Sequence, residues 1–445
     1  MAPAQFINEK FQKEEGGLGA VKGLHLAGIW AGFRKKPGRR DLALIVAPPH
    51  STAAGVFTQS NFAAAPVLIS RSHLAAQADD NNKSFRALVI NSGNANAATG
   101  QPGKEVAHKV CALTAEALDC SPEEILVAST GVIGVQLPYE KFSASMPQAI
   151  AELSVADTLS KDSAELGATD ALSKDDSSKG IHVAEAIMTT DTVPKVAALS
   201  FTATTQEGKE VAYTVGGMAK GSGMIAPHMA TMIAVMATDA RIEQQALSQA
   251  LKEAVGVSFN KVTIDSDTST NDSAYLLATG AASQETILPG SEAFEAFKQA
   301  LVAVCQDLAY QIAKDGEGAT KVIVVEVTGA ANDEDAELVA RAIADSPLVK
   351  TAIAGHDANW GRIAMAAGKA GASFKQEAVH IAIMDLEVMA QGTPLAFSEE
   401  EAARRFDERD EVFIAIDLGA GQAQTRIWTC DLTKEYVAIN GDYRT

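Results

Sequence analysis

The chain has 445 residues and a formal net charge of −19; 47% of its residues are hydrophobic and 21% are charged. This acidic excess argues against nucleic acid or an anionic membrane as a partner, because both attract clustered Lys and Arg. No apolar run approaches the ~20 residues that span a bilayer, so we expect a soluble globular protein with two or three subdomains.

Short runs rich in Val, Ile and Leu alternate with longer amphipathic stretches along the chain. In chain order, this pattern predicts strands at 41–47, 86–91, 321–327, 412–417 and 426–429. It predicts helices at 104–118, 241–255, 292–313 and 333–343, where apolar residues recur at three- and four-residue steps. The polar stretch 154–180 is typical of a surface connector. The sequence therefore predicts a mixed α/β protein.

The four cysteines and eight histidines show no paired or metal-type spacing. Reduced, mostly buried thiols in a cytoplasmic protein are the expected state. The first seventeen residues, MAPAQFINEKFQKEEGG, contain no apolar signal core and carry three glutamates, which argues against a secretory or organellar leader. We expect a cytoplasmic location and neither a metal nor a bound cofactor.

Residues 220–240 (KGSGMIAPHMATMIAVMATDA) place Thr231 in an apolar run that follows glycines and a lysine. A threonine hydroxyl is a weak nucleophile unless a base accepts its proton, and the α-amine of an N-terminal threonine can be that base. Cleavage between Ala230 and Thr231 would create such an N-terminus. On composition alone, a packed core threonine is the simpler interpretation of Thr231.

Six further strings accompany this run in a fixed order along nearly the whole chain. They are NSGNANAATG (91–100), STGVIG (129–134), MTTDTVPK (188–195), DSDTSTNDS (265–273), DGEGATK (315–321) and the terminal INGDYRT. Together with 220–240 they resemble the ornithine acetyltransferases, also called glutamate N-acetyltransferases, from about residue 23 to residue 445. The resemblance favours Thr231 as a catalytic residue over the packed core threonine.

The resemblance implies that the chain cleaves itself between Ala230 and Thr231, giving an α chain of 1–230 and a β chain of 231–445. It also implies an αββα sandwich core built from both chains, with a smaller C-terminal α/β domain from about residue 325. The new α-amine has an ordinary pKa of about 7.7–8.0, which suits a general base near neutral pH.

The resemblance assigns a role to each of several residues. Thr231 is the nucleophile, and Thr130 and Gly131 form the oxyanion hole through a hydroxyl and a backbone N–H. The substrate contacts, besides Thr231 itself, are Thr189, Lys220, Glu317, Asn440 and Thr445. Lys220 would bind the substrate carboxylate and Glu317 a substrate ammonium group. Thr190 competes with Thr189 for its contact, and for each charged residue a solvated surface pair is the ordinary alternative.

The implied activity is acetyl transfer from N2-acetylornithine to glutamate through an acetyl-Thr231 intermediate, as one step of arginine biosynthesis. Some family members also accept acetyl-CoA, and the sequence leaves this second activity open, since no feature excludes it. An amidase or aminopeptidase that hydrolyses its acyl-enzyme is the alternative. A non-enzymatic binding module that kept the fold is a second alternative. The resemblance further implies an assembly of two α and two β chains, with small-molecule substrates as the other partners.

Several strings fit other sites poorly or depart from the family pattern. Gly221 and Gly223 loosely fit a dinucleotide loop, 316–321 loosely fits a phosphate loop, and the aspartates of 265–273 miss the calcium-loop spacing. We expect hydrogen-bonded turns near the site in that last segment. His228, Ser266 and Ala358 stand where the family usually has Asn, Gly and Pro. The sequence does not decide what these replacements change.

Overall fold

The computed structural model describes residues 10–79, 84–153, 174–205, 207–226 and 232–442. Its strands are β1 (Gln12–Lys13), β2 (His25–Ile29), β3 (Leu42–Phe57), β4 (Phe85–Asn94), β5 (Ile125–Val132), β6 (Lys195–Thr204), β7 (Glu210–Lys220), β8 (Ile233–Thr238), β9 (Ser273–Ala278), β10 (Val322–Ala330), β11 (His380–Ile383), β12 (Leu386–Ala390), β13 (Thr393–Pro394), β14 (Glu411–Asp417) and β15 (Ala423–Cys430). Its α-helices are α1 (Ala65–Asp79), α2 (Gly100–Leu118), α3 (Tyr139–Glu152), α4 (Lys174–Ile187), α5 (Gln244–Gly256), α6 (Glu292–Lys314), α7 (Asp333–Ala344), α8 (Pro347–Ala354), α9 (Trp360–Gly368), α10 (Glu399–Glu408) and α11 (Lys434–Asp442).

Strand β3 joins two layers of sheet. Its first half pairs with β2 and β4, whereas Thr52–Phe57 pairs with β9 in the layer ordered β1-β6-β7-β8-β9. Between the halves stand Pro48 and Pro49, which donate no backbone hydrogen bond, and His50 with a positive φ of 66°. The strand predicted at 41–47 therefore continues past its prolines, because the bend moves it from one layer to the other.

Alternating side chains show how the layers stack. In β8, Ile233, Val235 and Ala237 enter the core between the two layers. Ala234 and Met236 point the other way, into a core shared with α5 and α6. On the opposite side, β4 and β5 alternate between the inner core and an outer core built with α2 and α3. The order helix, sheet, sheet, helix confirms the predicted αββα sandwich.

A second sheet of the described residues follows α6, in the order β13-β12-β11-β14-β10-β15. Ile323, Val325 and Val327 of β10 pack with α7, whereas Val322 and Val324 join the core around α6. Helix α6 therefore lies between the sandwich and this smaller α/β unit, which begins with β10.

The predicted helices and strands all occur, within a few residues at their ends in most cases. The prediction of a surface connector at 154–180 is wrong for the described residues 174–180. There, α4 begins at Lys174 and packs against the sandwich. Gly180 lies so close to Gly16 that a Cβ on it would meet the Gly16 carbonyl oxygen. The helix was not predicted because its first half is polar. Only its second half, including Val183, Ala184 and Ile187, enters the inner core.

Candidate active site

One end of the sandwich brings several strand ends together. Lys220 is the last residue of β7 and pairs with Ile233, the first residue of β8, which in turn pairs with Ser273 at the start of β9. Thr130 and Gly131 lie near the end of β5. The predicted nucleophile, Thr231, precedes Ile233 by two positions in the sequence.

Six of the predicted site residues line a single open cleft at this end. They are Thr130, Gly131, Thr189, Lys220, Glu317 and Asn440. They lie up to 310 residues apart in the sequence, from Thr130 to Asn440, and only the folding of the chain brings them close together. The other predicted residues, Ala230, Thr231 and Thr445, lie outside the described residues.

The predicted oxyanion pair depends on the glycine. Gly131 has a φ of 130°, a region that favours glycine, and it pairs with Gly93 across the parallel strands β4 and β5. A Cβ at residue 131 would lie 2.4 Å from the carbonyl carbon of Gly93. Thr130 is 5% exposed and opens onto the cleft. The close approach of the two strands therefore requires glycine here and presents Thr130 and Gly131 side by side.

Lys220 supplies a buried positive charge to the cleft. The residue is 2% exposed, and burial lowers the pKa of its amine from 10.5. The negative charges of Asp191, Asp272 and Glu317 oppose that fall, whereas Lys195 adds to it. A cation at this depth can bind a substrate carboxylate strongly, because little water screens the pair.

Glu317 supplies the opposite charge to the same cleft. Its backbone N–H donates to the carbonyl of Ser222 over 2.8 Å. Its carboxylate lies against Gly223, where a Cβ would come within 2.3 Å of Glu317 Oε2, and it accepts a 2.7 Å hydrogen bond from Asn440 Nδ2. Gly223 therefore gives Glu317 the space that a longer side chain would fill.

Thr189 and Thr190 both line the cleft, so the structure does not choose between them. The Thr189 backbone N–H donates to Asp191 Oδ2 over 2.8 Å, and the Thr190 hydroxyl lies 2.6 Å from the Ser222 hydroxyl. Each threonine is thus fixed by its own contact.

The segment 265–273 forms turns at the cleft, as expected. Asp265 accepts the backbone N–H groups of Met224 and Ile225, and the Asn271 side chain donates to the carbonyls of Ala95 and Ser129 over 2.6 and 2.8 Å. Asp272 accepts the N–H of Met232 over 3.1 Å, and burial raises the pKa of its carboxyl well above 3.8. These contacts tie the turn to β5 and to the residue that follows Thr231.

A charged group that the sequence analysis did not single out lies beneath the cleft. Lys195 Nζ is 2.7 Å from Asp191 Oδ1 and 2.5 Å from Asp315 Oδ2. All three residues belong to the motifs MTTDTVPK and DGEGATK. Within the sequence, they could have been recognised only from a lysine at the start of a strand with an aspartate four residues earlier. That spacing alone is ordinary.

Other sites find little support in the described part of the chain. No group of three or more His, Cys, Asp or Glu side chains among the described residues is arranged to hold a metal ion. Among the same residues, none of the helices is both long enough and apolar enough to cross a bilayer. Cys111, Cys305 and Cys430 are buried free thiols, and Cys120 is half-buried.

Two solved structures are similar to parts of this chain. The crystal structure of the arginine biosynthesis bifunctional protein ArgJ from Bacillus halodurans is 49% identical, covers 46% of this chain and 96% of its own, and superimposes with a TM-score of 0.45. The ornithine acetyltransferase from Mycobacterium tuberculosis, complexed with ornithine, is 34% identical, covers 49% and 98%, and gives a TM-score of 0.37.

Other relatives match this chain over nearly its full length. The arginine biosynthesis bifunctional protein ArgJ of Symbiobacterium thermophilum is 46% identical over 97% of this chain and 99% of its own. Its namesake from Brucella suis biovar 1 is 43% identical over 96% of both. The ArgJ family model matches residues 25–445, which confirms the resemblance seen in the motifs. The chain belongs to the ArgJ family.

Proposed function

We propose that this protein transfers the acetyl group of N2-acetylornithine to glutamate, releasing ornithine and N-acetylglutamate for arginine biosynthesis. The observation that carries the proposal is the cleft in which a cation (Lys220), an anion (Glu317) and two oxyanion donors (Thr130 and Gly131) meet. An amino acid has one carboxylate and at least one ammonium group, so this charge pattern suits it. Membership of the ArgJ family agrees with the proposal.

The first chemical step is maturation. The Thr231 hydroxyl attacks the carbonyl of Ala230, the amide becomes an ester, and water hydrolyses it to give chains 1–230 and 231–445. The freed α-amine of Thr231 then serves as the base for its own hydroxyl. The hydrogen bond from Met232 to Asp272 supports this step, because it anchors the backbone directly after Thr231.

Acetyl transfer then takes two half-reactions. Thr231 Oγ attacks the acetyl carbonyl, Thr130 and Gly131 stabilise the tetrahedral oxyanion, and the amide bond breaks as ornithine leaves with a proton on its nitrogen. The amine of glutamate attacks the acetyl-threonine ester and restores the hydroxyl. Lys220, Glu317, Asn440 and Thr189 or Thr190 would hold the two amino acids, with Thr445 as a further contact.

We propose four further properties. The two chains assemble as an α2β2 heterotetramer in the cytoplasm, and acetyl-CoA serves as a second acetyl donor. No bound cofactor takes part, since the acetyl group passes through the protein's own threonine.

Steady-state kinetics tests the proposal against a hydrolase. With both substrates varied, we expect parallel double-reciprocal lines and ornithine release that depends on glutamate. Equal ornithine release with and without glutamate would identify an amidase instead, because water would then be the acceptor. Intersecting lines would reject the acetyl-enzyme.

A further inference from the structure

A buried ionic cluster lies beneath the cleft, where Lys195 contacts Asp191 and Asp315 and the charge of Lys220 also acts on Asp191. The side chains of Asp191 and Lys195 are fully buried, and that of Asp315 is 7% exposed. Lys195 bridges the two aspartates, and Lys220 opens into the cleft. The four formal charges sum to zero. A neutral set of buried charges is far less costly than an unpaired one.

Asp191 also contacts two backbone segments at the cleft that Asp315 does not contact. Its Oδ1 accepts the backbone N–H of Gly221 over 2.7 Å, and its Oδ2 accepts the backbone N–H of Thr189 over 2.8 Å. Gly221 directly follows Lys220, and Thr189 lines the cleft. One carboxylate therefore fixes both chain segments that present substrate contacts.

The charge of Asp191 also acts on Lys220. The groups that face the Lys220 amine are Asp191, Lys195, Asp272 and Glu317. Burial raises the pKa of Asp272 well above 3.8, and Glu317 is half-buried in the cleft. Burial alone would raise the pKa of Asp191 too, but the charges of Lys220 and Lys195 outweigh it and hold that pKa well below 3.8. Asp191 is thus the main negative charge that balances the Lys220 amine.

We propose that Asp191 is a positioning residue, whose carboxylate holds the backbone of Gly221 and Thr189 at the cleft and supplies the counter-charge to the Lys220 amine. The inference rests on the proposed function only for the statement that Lys220 binds a substrate carboxylate. Asp315 has the lesser role of neutralising Lys195 and receiving the Thr192 backbone N–H over 3.0 Å.

The consequence is a specific dependence on pH. Asp191→Asn removes the largest compensating charge and leaves Lys195, which further disfavours a protonated Lys220. Loss of an adjacent opposite charge lowers a lysine pKa by about 1–3 units. The amine of the variant therefore becomes neutral at a lower pH, and binding of the substrate carboxylate is lost there. Activity should recover as the pH is lowered again.

The test measures the pKa of Lys220 directly in the mature protein. Lysines are labelled with trace acetic anhydride across a pH series, and the labelling of Lys220 is read by peptide mass spectrometry. We expect a midpoint about 1–3 units lower in Asp191→Asn than in wild type. Asp315→Asn is the matched control, because it breaks the other half of the same Lys195 bridge and should leave the midpoint unchanged. Equal midpoints in wild type and Asp191→Asn would overturn the proposal.

A third variant keeps the proposal testable if Asp191→Asn does not fold. Lys195→Gln removes the like charge near Lys220, so its midpoint should move upward; a downward move would contradict the proposed balance of charges. Because labelling requires no catalysis, a wild type that labels as expected but transfers no acetyl group would refute only the proposed function. In active protein, the pH at which kcat/KM falls on the alkaline side should follow the same order among wild type, Asp191→Asn and Lys195→Gln. The change in kcat/KM should come from KM.

Discussion

Asn440 Nδ2 donates a 2.7 Å hydrogen bond to Glu317 Oε2, joining residues 123 positions apart. Asn440 belongs to α11, the last helix of the described chain, and its amide also donates to the carbonyl of Tyr436 one turn earlier. The helix thereby orients Glu317, the carboxylate that we propose to pair with a substrate ammonium group.

This contact predicts a graded loss of substrate binding. Glu317→Gln removes a charge-assisted pair worth about 1.5–3 kcal/mol, so kcat/KM for N-acetylornithine should fall about 10- to 100-fold. Asn440→Ala removes one orienting hydrogen bond and should cost no more than about tenfold. Steady-state assays measure both. Glu377→Gln, at an exposed glutamate in the second sheet unit, is the control; a larger loss in Asn440→Ala than in Glu317→Gln would contradict the assignment.

Thr130 is predicted to act on the transition state alone. Thr130→Val keeps the shape of the side chain and removes the hydroxyl donor, so kcat should fall about 10²- to 10³-fold while KM changes little. Thr114→Val is a fitting control, because it removes a buried hydroxyl that donates only to Val110 within α2. If Thr130→Val raised KM and left kcat intact, the oxyanion role would be wrong.

Ser266, which stands where the family usually has glycine, is predicted to lower the stability of the fold. Its φ is 61°, in the left-handed region where a side chain costs roughly 1–2 kcal/mol. Ser266→Gly should therefore raise the thermal midpoint by about 1–3 °C, with activity retained. Calorimetry provides the measurement. Ser266→Ala keeps the strain and loses the 2.6 Å hydrogen bond to the Asp265 carbonyl, so its midpoint should not rise.

Asp239, at the far end of β8 from the cleft, makes stability depend on pH. Burial is the main reason that its pKa is raised to about 6, although the Thr214 backbone N–H donates to Oδ1 and partly opposes the shift. The unfolded chain ionises near 3.8, so the folded state loses stability relative to the unfolded state as pH rises from about 4 to 6.

Asp239→Asn removes that titration. Relative to wild type, the variant should gain up to about 3 kcal/mol between pH 4 and pH 7, because two pKa units correspond to about 2.7 kcal/mol. Urea unfolding of both proteins at the two pH values measures the difference. A stability difference that is the same at pH 4 and pH 7 would show that Asp239 does not carry the effect.

The sequence predicted the helices and strands, and six of the cleft residues, for different reasons. Periodicity located α6 and β10 because each buries a regular stripe or face. Periodicity could not bring Thr130, Lys220 and Asn440 together, since their meeting depends on strand order; the family motifs supplied that. It also missed α4, whose polar first half resembles a connector, and the second half of β3, which continues past the strand predicted at 41–47.

The ionic cluster escaped prediction for another reason. Lys195 looks like any lysine that begins a strand, and its significance comes from Asp315, which lies 120 residues later. Burial of a charge is a tertiary property, so no local pattern reports it. The left-handed conformation of Ser266, by contrast, gives a physical reason for the family glycine at a position that the sequence marked as unusual.

The acetyl-threonine intermediate is best tested by intact mass spectrometry of purified protein, before and after addition of N-acetylornithine without glutamate. We predict two chains, 1–230 and 231–445, with the second chain heavier by one acetyl group after addition and restored to its first mass by glutamate. A single uncleaved chain in fully active protein, or an acetyl group that never appears on the chain beginning at Thr231, would contradict the account.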